Sequence, residues 1–120
     1  MRLWGEDAAA LERAGADLPA LAGLEDGLAA EVAGLRGGVE AVDAHVHLGR
    51  DADGHRLAPA DLLADLGRWG IARAVCFAAN DPGPNGQFAD ANAAVLDAAQ
   101  EAGGRIAPFC RVDPGRSGAA

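Results

Sequence analysis

Val39-Glu40-Ala41-Val42-Asp43-Ala44-His45-Val46-His47-Leu48 (residues 39–48) alternates apolar and polar side chains from Val42 onward and reads as a β-strand. Outward from it, Pro59–Trp69 reads as a helix. Proline suits a first helical position, Asp61 and Asp65 fall in the early turns, and Leu62, Leu66 and Trp69 share a face. Gly70 ends that helix, and the apolar run 74–79 is a second strand. Asn80-Asp81-Pro82-Gly83-Pro84-Asn85-Gly86 is a loop by composition. Residues 88–102 form a second amphipathic helix with Val95, Leu96 and Ala99 inward, stopped by Gly103-Gly104. Residues 106–112 make a third strand, with Pro108 counting against a fully paired central position.

Strand, helix, strand, helix, strand is the order of a parallel α/β sheet. Val42, Ala74 and Ile106 stand at equivalent points of this order, evenly spaced along the chain. Eight units of that length amount to about 256 residues, against roughly 250 in a (β/α)8 barrel. The expected fold is therefore α/β, the N-terminal part of a TIM-like barrel (βαβαβ, parallel strands) preceded by two helices. The expected domains are a helical extension over 1–38 and a truncated barrel portion over 39–120.

In the extension, a short helix over Glu6–Ala14 is broken by Gly15 and Pro19. Leu21, Leu24, Leu28, Val32 and Leu35 then repeat at the spacing of one helical face, and Gly37-Gly38 stops the second helix. The stripe is too short for a coiled coil, so it is expected to lie on the rest of the same chain.

Composition bounds the function. The 120 residues carry a net charge of −8, with 30 Ala, 10 Arg and no Lys or Tyr. Such acidity excludes a basic nucleic-acid surface and an anionic membrane surface, and no run reaches the length of a membrane span. The first residues lack the apolar core of a signal peptide, which points to the cytoplasm. In that compartment Cys76 and Cys110, both inside apolar runs, are expected to be reduced and buried. With half the residues hydrophobic but only 4% aromatic, the core is built of small side chains and is marginal at this length.

The chemistry concentrates at the first strand. Alternation puts Asp43, His45 and His47 on one face and Val42, Ala44 and Val46 on the other. Two imidazoles on one strand face can share a divalent metal, and unpartnered they are costly inside a barrel. Asp43 is placed to accept from a ligating ring and orient it. His55 lies in the loop Arg50-Asp51-Ala52-Asp53-Gly54-His55-Arg56 and reads as a solvated histidine rather than a third ligand. Asp51-Ala52-Asp53-Gly54 opens like a calcium loop, but Leu62 stands at the twelfth position, where that loop needs Glu. Asn80 and Arg111, at the later strand ends, are candidate substrate contacts, the arginine for a carboxylate.

Val-Asp-Ala-His-Val-His-Leu-Gly (42–49) resembles the opening metal motif of the amidohydrolase superfamily. Gly70-Ile71-Ala72-Arg73-Ala74-Val75 and Phe109-Cys110-Arg111-Val112-Asp113-Pro114 are similar to its amidohydrolase-related branch, which includes the aminocarboxymuconate-semialdehyde decarboxylase type. The likeness runs from about Val39 to Pro114, and only its first motif is specific. It implies a TIM-like barrel in which His45 and His47 hold a divalent metal, most often zinc. It implies a water activated for attack on the carbonyl of an amide, lactone or related small-molecule substrate, or else decarboxylation of a carboxylated one. A histidine from a later strand and an aspartate from the eighth complete such a site, so the catalytic residues are expected downstream of Ala120. A metal-dependent phosphoesterase also opens with Asp-x-His-x-His, but looks for a histidine after the second strand, where this chain has Ala79-Asn80-Asp81. The alternative from another class is a non-catalytic module whose acidic helices drive association, a homo-oligomer among its forms, with an unpaired edge at the third strand.

Overall fold

The computed structural model describes residues 5–80 and 88–115, and these belong to two units, Met1–Val39 and Glu40–Ala120. The expected loop lies outside the described residues except for Asn80, as does the chain end after Gly115.

The larger unit is α/β. Strands β1 (Val42–Arg50), β2 (Arg56–Leu57), β3 (Arg73–Ala78) and β4 (Ile106–Pro108) form one open sheet in the order β2-β1-β3-β4. β1, β3 and β4 run parallel, and helices α3 (Pro59–Arg68) and α4 (Ala89–Glu101) connect them. β2 pairs antiparallel with the end of β1. The strand–helix repeat does not contain this element, so the sheet is mixed rather than purely parallel. Its turn closes with the Asp51 N–H donating to the His55 carbonyl (2.7 Å), and Gly54 takes φ +93° there, a conformation few side chains tolerate.

Alternate residues of β3 (Ala74, Cys76 and Ala78) are buried, and with Leu48, Leu62, Leu66, Val95, Ala98 and Ile106 they form the core. Helix burial follows the expected faces in α3, through Leu62 and Leu66. In α4, however, Val95 and Ala98 are the buried residues and Leu96 is exposed, a correction to its inward placement. Arg105 ties the loop before β3 to the start of β4 by donating to the carbonyls of Ile71 (3.0 Å) and Ala72 (3.3 Å).

Two strand expectations change. β4 ends at Pro108 instead of residue 112: the Phe109 N–H still donates to the Cys76 carbonyl (2.8 Å), and the residues that follow are not strand. Beyond it Asn92 of α4 takes over, its Nδ2 donating to the Arg111 carbonyl (2.8 Å) and its Oδ1 accepting from the Arg111 N–H (2.9 Å). Cys110, off the strand, is exposed, whereas Cys76 is buried as expected.

In the smaller unit, α1 (Gly5–Arg13) and α2 (Leu18–Arg36) are helical. Asp17 caps α2 through Oδ1, which accepts from the Ala20 N–H (3.0 Å), so Pro19 sits in the first turn of that helix rather than merely ending the previous one. Gly37 ends α2 in the left-handed region at φ +56°. Within the leucine stripe Leu24, Leu28 and Leu35 are 71%, 53% and 80% exposed, and the buried position of α2 is Ala29. No helix among the described residues is long and apolar enough to cross a membrane.

Candidate functional site

The sheet face away from α3 and α4 carries the histidines. Strand pairing sets Val46 beside Cys76, His47 beside Phe77 and Leu48 beside Ala78, so His47 shares the open face with Phe77 while its neighbours point into the core. His45 reaches the same face, its ring stacked on Phe77 with centroids 4.7 Å apart. The Nε2 atoms of His45 and His47 are 2.9 Å apart, and both side chains are solvent-exposed.

Between Asp43 and Val46 the ladder shifts: three residues of advance on β1 match two on β3. This is a bulge, and it undoes the strict alternation expected of the strand. Val42 falls beside Arg73 and Asp43 beside the fully buried Ala74, so Asp43 is out of phase with the two imidazoles. Its Oδ1 accepts from the His45 N–H (3.1 Å), a local bond that turns the backbone where the extra residue sits. Asp43 therefore positions His45 through the main chain. Its carboxylate also acts on the buried Cys76 thiol, whose pKa is pushed up to about 11, first by burial and then by that negative charge.

The remaining candidates have partners of their own or stand in solvent. His55 stands at the hairpin turn with Nε2 3.8 Å from Asp53 Oδ2, both exposed, as the solvated-loop reading expects. Asn80 is exposed just past the end of β3. Arg111 is part-buried: Nη1 donates to the Ala78 carbonyl (3.3 Å), and the guanidinium lies over the Phe88 ring at 5.0 Å. Sequence reading missed Phe77, which meets both histidine rings, and Phe109, whose ring lies 5.4 Å from that of Phe77. Alternation along β3 was the available signal for Phe77.

A metal–imidazole bond of roughly 2.0–2.1 Å lets one ion bridge nitrogens 2.9 Å apart at an angle of about 90°. That angle suits two adjacent positions of a five- or six-coordinate ion, and a tetrahedral zinc needs the rings to part by about 0.4 Å. The pair thus fits as two adjacent ligands. No group of three or more His, Cys, Asp or Glu able to hold a metal occurs among the described residues. Comparison with protein-family models, with curated proteins and with solved structures finds no match to this chain.

Proposed function

We propose that the chain supplies the first metal-binding strand of a metal-dependent, amidohydrolase-type hydrolase built on a TIM-like barrel. The observation that carries this reading is the pair of Nε2 atoms 2.9 Å apart, on the sheet face away from α3 and α4, toward the C-terminal end of a parallel strand. Active sites of β/α barrels gather at that end.

In this reading His45 and His47 hold a divalent ion, zinc first among candidates, and further ligands come from outside the described residues. When bound, the ion supplies an activated water or polarises a carbonyl. Phe77 fixes the His45 ring by stacking, and Asp43 fixes its backbone, so two degrees of freedom are settled before a ligand arrives. Phe109, against Phe77, extends the apolar surface on which His45 stacks, suited to the carbon skeleton of a small molecule. The default reaction is hydrolysis of an amide, lactone or related bond, in a cytoplasmic enzyme.

Calorimetric titration of the full chain with Zn²⁺ and Mn²⁺ tests the ligand pair. One ion per chain is expected, with affinity reduced at least about tenfold in His45→Ala and in His47→Ala and unchanged in His55→Ala. Binding that survives both of the first two substitutions would sink the proposal.

A further inference from the structure

The opposite face of the same strand holds a second site. A cavity of about 340 Å³ opens between the β1–β2 hairpin and the N-terminal parts of α3 and α4. That volume is toward the lower end of the roughly 300–1,000 Å³ typical of small-molecule sites. Its floor is apolar and belongs to the core: Leu48 and Val95 are 4% and 2% exposed. Leu57 and Ala91 form walls.

The rim is the opposite in character. Arg50 and Arg56 both line the opening and are direct partners across the two-stranded ribbon, so their side chains leave the sheet side by side. Like charges in that relation repel. Neither guanidinium has a carboxylate partner among the described residues, in a chain of net charge −8. The nearest acids in sequence are engaged in the turn: Asp51 Oδ1 accepts from the Ala52 N–H (2.7 Å), and Asp53 Oδ1 from the His55 N–H (3.1 Å). Two guanidinium forks without a carboxylate partner among the described residues, above an apolar floor, complement one kind of ligand, an anionic head on an aliphatic tail. The planar fork matches a carboxylate in particular.

We infer that this cavity binds a small aliphatic carboxylate, its head held by Arg50 and Arg56 and its tail on Leu48, Leu57 and Val95. The site is independent of the metal reading, since the histidines occupy the other face of the sheet.

The test is a titration of the full chain with octanoate, followed by methyl and amide NMR. Saturable shifts are expected at Leu48, Leu57 and Val95, at concentrations on the order of millimolar or lower. The double variant Arg50→Gln/Arg56→Gln, and the neutral analogue octanamide with the unmodified protein, should each bind at least about tenfold more weakly. His45→Ala should bind octanoate normally. Because both arginines are exposed, the double variant keeps the fold, and unchanged Ala74 and Cys76 amide positions verify this. Absence of saturation overturns the proposal. So does octanamide binding as well as octanoate, or inorganic phosphate displacing octanoate at equal concentration, since the first denies charge recognition and the second denies the tail.

Discussion

Cys76 and Cys110 show how far place in the fold separates identical side chains. Cys76 is buried beside Asp43 with its pKa raised from 9.0 to about 11, while Cys110 is exposed. At pH 8 a thiol reagent should therefore modify one sulfur per native chain, and peptide mapping should locate it at Cys110. Modification of Cys76 without unfolding would contradict the burial. The same shift has a consequence for stability. An unfolded Cys76 ionises near 9.0 while the folded one holds its proton to about 11, so the folded state binds more protons between those values. Stability from this group is intact below 9.0 and declines as pH rises through about 11. Urea unfolding across that window should show the loss in the unmodified chain and a smaller one in Cys76→Ala.

Among the elements, the segment after β4 depends on one side chain. Asn92 satisfies both backbone groups of Arg111, three residues beyond the end of β4. Asn92→Ala leaves these part-buried groups without that partner and should cost about 1–3 kcal/mol in urea unfolding. Asn92→Asp keeps an acceptor for the N–H but loses the donor, and should fall between. A cost within error of zero for Asn92→Ala would show that water replaces the amide freely. This is also where sequence reading reached its limit. Apolar spacing sufficed for α3 and α4, and β1 and β3 follow from alternation and apolar runs within a residue or two at most ends. β2 is only two residues long, too short for any periodic signal, although a turn containing Gly54 between Arg50 and Arg56 was a hairpin cue. The β1 bulge depends on how Asp43 bonds the His45 N–H, a choice that alternation cannot express. Hence the histidines were legible as a pair, and the position of Asp43 relative to them was not.

At the scale of the molecule, small side chains dominate. The core of the larger unit includes Ala74, Ala78, Ala98 and Ala102, and its largest fully buried side chains are Leu66, Val95 and Cys76. Little area is removed from water per residue, while the cost of ordering the chain is undiminished. Large apolar groups also remain exposed, among them Val42, Phe109 and Val112 in the larger unit and Leu24, Leu28 and Leu35 in the smaller. The 120-residue chain should therefore melt below the roughly 45–65 °C common to mesophilic domains. Differential scanning calorimetry checks this, and a sharp, cooperative transition above that range would refute the expectation. Leu66→Ala, at the best-buried leucine, should lower stability further, by about 2–5 kcal/mol.

The short contact between His45 and His47 makes two chemically identical residues unlike. At 2.9 Å only one Nε2 can carry the shared hydrogen, so that ring, when neutral, is the Nε2–H tautomer. The other must accept at Nε2 and, when neutral, keep its proton on Nδ1. Two mirror arrangements satisfy the bond, and a single proton passing between the rings exchanges them if each Nδ1 adjusts in turn. A cation held by both Nε2 atoms removes that choice and sets both rings to the Nδ1–H form.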